Sequence, residues 1–544
     1  MKTAVVDIET DGFDATKTHC IVAITEDNKE HYWTGDDCFK FKDWSKNIDQ
    51  FIMHNGISFD APVLNKLIGT NIQMSQIRDT LIESQLFNPI REGGHSLKAW
   101  GKKLNYRKFD YNNFDSFTLE MLEYCKQDTR LTKKVSEYLE IEGKTFSKKS
   151  YELEKKVRCI IDKQQNNGYA FNIKDASILL AQLEDEQTQL ENKAQELFPP
   201  KQIQLKTKTK EIPFNIASRK QISERLQEKG WKPTEFTEKE NIIINEKVLS
   251  TIDMPEAKMF SRYFLLQKRT GLLKSWIKEC KDTNRVHGKV MTLQTVTGRM
   301  AHSSPNMAQV PAVYSPYGKE CRRLWTVDNI KTHKLVGVDA SGLELRCLAH
   351  YMDDANFTEE VLSGDIHTAN QQAAGLKTRD EAKTFIYAFL YGAGPNKIAK
   401  ILNSNIKEAS NVIDRFLSNL PKLNQLREKV FNEASRKQKI IGLDGRYLHI
   451  RHAHAALNTL LQSAGAIICK QWLIEIIKRV DKYNLDAKLV ASVHDEYQFE
   501  VVNKDIPMFC ELAKQAIYNT KDVLNVKCDL DCDYKVGNNW AETH

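Results

Sequence analysis

KLVGVDASGLELR, residues 334–346, runs from an apolar stretch directly into an acidic residue, Asp339, and then into small, turn-forming residues. Leu335, Val336 and Val338 in so short a run mark an apolar strand. Asp339 therefore emerges at the strand end. Further along, SVHDEYQFE, residues 492–500, joins two strand patterns through His494, Asp495 and Glu496. A tight turn of that kind projects the carboxylates of Asp495 and Glu496 away from the sheet. The expected centre is thus a small sheet with acidic side chains at its ends.

Between the two stretches, Thr358 to Lys437 reads as several helices. In RDEAKTFIYAFLYGAG, residues 379–394, Arg379, Lys383, Tyr387 and Tyr391 recur every four positions. A step of four drifts only about 40° around a helix, so all four line one broad stripe. Two cations followed by two phenols suit a ligand with a polyphosphate at one end and a flat ring at the other. The alternative is an ordinary amphipathic helix with Arg379 and Lys383 on its polar flank.

A second acidic constellation opens the chain. Asp7 and Glu9, in the strand-like TAVVDIET of residues 3–10, are two apart and leave the same face, where they can share one hard cation. Asp60 closes HNGISFD, residues 54–60, and Tyr124 and Asp128 are four apart on an amphipathic helix around Leu119 to Tyr138. EIEGKTFSKKS, 140–150, is polar enough for a linker. In DASILLAQLEDEQTQLENKAQELF, 175–198, Ala176, Leu183, Leu190 and Leu197 form one apolar seam on a long helix, expected to pack within the chain rather than as a dimeric coiled coil. Pro199-Pro200 ends it, and KQIQLKTKTKEI, 201–212, with Lys201, Lys206, Lys208 and Lys210, reads as a short basic loop.

The 544 residues allow two to four domains and exclude hormones and disulfide miniproteins. Lys plus Arg is 79 against 72 for Asp plus Glu, a net +7 too mild by itself to name a polyanionic partner. Eleven unpaired-looking cysteines fit a reducing compartment, and no run approaches the 18 apolar residues of a membrane span, so a cytoplasmic protein without a membrane partner is expected. His449, Arg451, His452 and His454 read as a basic surface rather than a metal cluster, and Cys528 with Cys532 lacks a second ligand pair for zinc. GAGPNK, 392–397, is not a phosphate loop of the ATPase kind.

Taken together, the motifs resemble two known sets. Asp7-Ile8-Glu9, Asn55 with Phe59-Asp60, and Tyr124 with Asp128 are similar to the three motifs of the DEDD superfamily of 3′ to 5′ exonucleases, in its Tyr-containing branch, over about residues 1–140. DASGLELR, RDEAKTFIYAFLYGAG and VHDE resemble motifs A, B and C of family A DNA polymerases. TGRMAHSSPNMAQVP, SPYGKECR, GDIHTAN, HAALNTLLQSAGA and NNWAETH extend the likeness to the replicative enzymes of short-tailed phages, and PFNIASRKQISERLQEKGWKPTEFT resembles their thumb.

The resemblance implies an α/β and α+β protein, an RNase H-like exonuclease domain at 1–140 followed by a right-hand polymerase domain at 150–544. Thumb would fall at about 150–330, palm at 331–356 and 441–544, and fingers at 357–440. It implies a template-directed polymerase that adds deoxynucleotides from dNTPs to primer-template DNA and proofreads. Two Mg²⁺ would sit at each site, with Mn²⁺ as a substitute. Asp339, Asp495 and the Ala340 carbonyl would hold the polymerase pair, and Asp7, Glu9, Asp60 and Asp128 the exonuclease pair, with Tyr124 orienting the water. Arg379, Lys383 and His367 would grip the triphosphate, Lys383 also serving as a proton donor. Glu344 would exclude a 2′ hydroxyl, Tyr387 would meet the sugar and Tyr391 the entering template base. Arg299, Gln462 and His494 would donate to minor-groove acceptors shared by all correct pairs. A replisome helicase-primase is the implied partner. Thioredoxin is not expected, because only residues 199–212 fill the gap where thioredoxin-recruiting relatives carry an insertion. A single-subunit RNA polymerase and a non-catalytic nucleic-acid-binding protein are the competing readings.

Overall fold

The computed structural model describes residues 1–106, 108–204, 209–280 and 283–544. They divide into two compact units, one built from 1–167, 290–302 and 338–534, the other from 168–289, 303–337 and 535–544.

The first unit holds one whole sheet and most of a second. One has five strands in the order Glu30–Thr34, Thr18–Thr25, Thr3–Thr10, Gln50–Met53, Ile77–Asp79. The first three pair antiparallel and the last two join in parallel, giving a mixed sheet. Val6 and Ile8 of the central strand enter a core with Phe41, Phe51 and Met53. Asp7 and Glu9 necessarily face the other way. Their cross-strand neighbours there are Val22 and Cys20, which pack with Met121, Leu122 and Cys125 of the helix Leu119–Glu142. That helix starts where Thr118 accepts the Met121 N–H and ends at the Gly143 C-cap. The next helix, Lys148–Asn167, follows after a single turn. The polar stretch 140–150 is therefore a helix-to-helix join and not a free linker; its polarity belongs to a turn, and Ser150 is buried.

The second sheet has the order Ala487–Val493, Glu496–Val502, His333–Ala340, Cys532–Gly537. Beside it lies the helix Ala456–Lys482, buried along most of its length. Residues 453–482 are long and apolar enough to cross a membrane, where the sequence reading expected no such stretch, but nearly all of that window is buried within the protein. One polar device sits in this interior. Lys470 of that helix donates to both oxygens of Glu154, at 2.8 and 2.7 Å, and Arg446 joins Glu154 to Asp444 at 2.8 and 2.7 Å. All four side chains are at most 3% exposed.

In the second unit, helix Ile173–Leu197 packs along helix Pro255–Glu279, and the Tyr263 hydroxyl donates to Glu191 at 2.9 Å. Ala176 and Leu183 are buried and Leu190 packs against the cluster of Phe198, Phe214 and Phe260, as the seam requires. Leu197 is 43% exposed, and Ala194 takes its place. A seven-residue repeat drifts by about 20° per heptad on a straight helix, so the fourth position rotates off the interface. The expected basic loop is instead a hairpin, Lys201–Gln204 paired antiparallel with Thr209–Ile212. Glutamine, threonine and lysine alternate there with Ile203 and Leu205 at a strand period, which the lysines disguise. Lys206 and Lys208 lie outside the described residues.

Candidate active sites

The first site forms on the outward face of the five-stranded sheet. Glu9, Asp60 and Asp128 are buried and Asp7 is half-buried. Asp60 begins a short helix, Asp60–Val63, after a turn in which Asn55 adopts φ 71°. That turn is held by Asp79, whose carboxylate accepts the backbone N–H groups of Asn55 and Ile57, both at 3.1 Å. Burial, then the carboxylates of Asp60, Glu9 and Asp128, raises Asp7 well above the ordinary carboxylate range. Burial followed by Asp128 pushes Glu9 up to about 8, and burial pushes Asp60 up to about 7. The four acids are thus electrostatically one cluster, a convergence that the sequence by itself does not show.

Tyr124 flanks the cluster, its hydroxyl raised by burial and then by Asp128. Two residues were not singled out by the sequence. Lys108 places its ammonium 2.6 Å from Asp128 Oδ2 and 4.8 Å from the Tyr124 ring centre. Cys125 Sγ lies 3.7 Å from Asp7 Oδ2. Neither belongs to a periodic pattern, so only their three-dimensional position marks them. Asp128 Oδ1 is buried without a hydrogen-bond partner among the described residues. A partnerless carboxylate oxygen amid three other acids is a donor set fitted to hard divalent cations.

The second site lies at the ends of the four-stranded sheet. His494, at φ 58°, and Asp495 make the two-residue turn, and Val493 pairs with Glu496. Glu496 is therefore not a projecting turn carboxylate as expected; it is the first residue of its strand, buried, and accepts from the Gln498 amide at 2.5 Å. The turn is one residue tighter than the sequence suggested, because a left-handed residue closes it. The backbone N–H of Ala340 donates to the Asp495 carbonyl at 3.1 Å, which sets Asp339 next to that turn. Burial, then Glu344, raises Asp495, and burial followed by Asp495, with Asp339 contributing, raises the Cys469 thiol.

Arg299, Glu344, His494 and Asp495 line one cleft. Tyr391 donates to Glu344 Oε1 at 2.9 Å, and Arg299 approaches the same carboxylate at 3.8 Å. Arg379, Lys383 and Tyr387 lie on the helix Arg379–Leu390, and Tyr391 is its C-cap. Arg379 pairs with Asp365 at 2.8 Å, one turn from His367, whose ring stands 6.2 Å from that of Tyr387. Burial and then the charges of Arg379 and Lys383 lower His367, so the three basic side chains gather at one end of the stripe. Burial, Glu344, Tyr391 and Asp495 act on Tyr387 at the other end. Gln462 is apart from this grouping; its amide donates to Asn458 at 2.8 Å on its own helix.

Comparison with known proteins follows this geometry. The profile described as DNA polymerase family A matches residues 177–542. The DNA-directed DNA polymerase of Enterobacteria phage T3 is 31% identical over 97% of this chain and 98% of its own. That of Escherichia phage T7 is 32% identical over 91% and 92% respectively. Among solved structures, the POL domain of Pol1 from M. smegmatis in complex with DNA primer-template and dNTP superposes with a TM-score of 0.83, covering 100% of this chain and 96% of that one. At 17% identity the last likeness is one of fold.

Proposed function

The chain belongs to DNA polymerase family A and is a DNA-directed DNA polymerase akin to those of phages T3 and T7, and from that premise we propose how its two acidic sites divide the work. The site around Asp339 and Asp495 extends a primer, and the site around Asp7, Glu9, Asp60 and Asp128 removes nucleotides from the 3′ end. The observation that carries the first assignment is the Ala340 to Asp495 hydrogen bond, which joins two distant acidic segments at the mouth of a cleft.

Divalent metal bound by Asp339, Asp495 and the Ala340 carbonyl supplies charge neutralisation and an activated primer hydroxyl. The remaining roles belong to side chains. Arg379, Lys383 and His367 converge as a cationic end for the triphosphate, and Lys383 is the proton donor to the departing pyrophosphate. Glu344, fixed by the Tyr391 hydroxyl, leaves no room for a 2′ hydroxyl, and Tyr387 packs against the sugar. That hydrogen bond also favours a deoxyribonucleotide enzyme over the RNA polymerase alternative. Arg299 and His494 face the cleft as donors to the minor groove, and Gln462 joins them once its bond to Asn458 opens.

In the other site, Asp7, Glu9, Asp60 and Asp128 hold the metal and Tyr124 orients the attacking water. The mixed sheet and the order of its acidic residues support an RNase H-like domain at about 1–140, with the polymerase parts at the boundaries given above. The alignment with the T3 enzyme spans 689 positions, more than the 544 residues here, so that relative carries internal segments this chain lacks. Among the described residues a hairpin stands between the helices Ile173–Leu197 and Arg219–Glu228, which supports a polymerase that works without thioredoxin; a replisome helicase-primase is its expected partner. The deciding experiment is Mg²⁺-dependent primer extension and 3′ excision on the same preparations. Asp339→Ala abolishes extension and spares excision, and Asp7→Ala does the reverse; extension that survives Asp339→Ala overturns the assignment.

A further inference from the structure

Lys108 is a cation lodged inside a cluster of metal-binding acids. Its side chain is 17% exposed, its ammonium pairs with Asp128 Oδ2 at 2.6 Å, and its charge opposes the rise of Asp7 and Glu9. It reaches this place from an irregular segment between the helices Leu97–Lys103 and Leu119–Glu142. The segment is pinned to the second helix where the Phe109 N–H donates to Gln127 at 2.6 Å. Asp128 offers its other oxygen, buried and without a hydrogen-bond partner among the described residues, to the same cluster. A helix-borne carboxylate shared between an internal ammonium and an incoming divalent ion cannot serve both fully, because two cations at one acid repel.

We propose that the Lys108 ammonium holds the place of a divalent ion at Asp128 until a DNA strand arrives, and that strand phosphate, by taking up the displaced ammonium, makes metal and strand bind cooperatively. The inference rests on the exonuclease reading of this site. Its physical content is an exchange of partners: Lys108 leaves Asp128 for a phosphate oxygen, and the freed carboxylate, whose other oxygen is already without a partner among the described residues, serves the metal. Without a strand, metal entry leaves the ammonium crowded against a cation. With a strand, that penalty disappears, and by linkage the metal tightens strand binding by the same factor. Couplings of this kind amount to roughly 5- to 150-fold.

The test is Mn²⁺ binding, read by electron paramagnetic resonance of free Mn²⁺, in the full chain carrying Asp339→Asn and Asp495→Asn so that the polymerase site is silent. Affinity is measured with and without a single-stranded oligonucleotide whose terminal linkages are phosphorothioates resistant to cleavage. With Lys108 present, the oligonucleotide tightens Mn²⁺ binding about tenfold. In Lys108→Met, Mn²⁺ binds about tenfold more tightly without DNA and gains little from it, while Lys108→Arg keeps the coupling. Unchanged Mn²⁺ affinity in Lys108→Met, or full tightening by DNA in that variant, overturns the proposal. A Mn²⁺ site that Asp7→Asn does not weaken overturns the exonuclease reading itself, which separates the two failures.

Discussion

At the scale of single residues, the acids of the first site are set for protonation when no metal is bound. Glu9 at about 8 and Asp60 at about 7 lie far above the ordinary values of 4.5 and 3.8. A raised carboxyl favours the folded state fully below its unfolded value, and that contribution is lost as pH climbs through the folded value. In EDTA the thermal midpoint should therefore fall as pH climbs from about 4 to about 8, and Mg²⁺ should flatten the decline by stabilising the charged forms. Glu9→Gln, which cannot ionise, should remove part of the slope in EDTA, and an unaltered slope would contradict the account. Asp7 with Glu9 and Tyr124 with Asp128 were legible as pairs because a strand period and a helix period phase each pair onto one face, whereas their convergence with Asp60 was not. Lys108 and Asp79 were not, since an irregular segment and a strand end bring them in from elsewhere in the chain. Glu496 was misread as a turn residue because the sequence does not display the left-handed backbone of His494.

At the scale of elements, the helix Arg379–Leu390 carries Arg379, Lys383 and Tyr387, the side chains to which the proposed function gives nucleotide binding. Its first turn is closed reciprocally: Thr378 Oγ1 accepts the Glu381 N–H and the Glu381 carboxylate accepts the Thr378 N–H, each at 3.1 Å. Thr378→Ala should cost about 1 kcal/mol at that turn. Because Arg379 is its first residue, the expected outcome is a rise of about fivefold in the KM for dNTP, with kcat much less affected. Equal losses in both constants would mean that the cap matters for global folding instead. The stripe on this helix was readable from a spacing of four. The pairing of Lys201–Gln204 with Thr209–Ile212 was not, as the lysines gave the impression of a loop, and neither was the end of the Leu197 seam, where heptad drift decides.

At the scale of the whole molecule, the contrast with longer relatives gives an expected behaviour on long templates. Primer extension on single-stranded circles should give the same product lengths with and without thioredoxin, and a large thioredoxin-dependent gain would refute the reading of the hairpin. The family and the overall fold were legible because their motifs recur in order along most of the chain, whereas the division into two units was not, since each unit is stitched from distant stretches. That stitching bears on how the protein is made. Glu154 leaves the ribosome 316 residues before Lys470, the later of the two cations, with Arg446, that together neutralise it. At about 5–20 residues per second the interval is on the order of 15 to 60 s. Throughout it the helix Lys148–Asn167 carries a carboxylate that cannot be buried alone without a cost of several kcal/mol. Completion of the larger unit is thus timed by the ribosome: its interior closes only near the end of translation, and nascent chains paused before Lys470 should be digested by protease where finished ones resist.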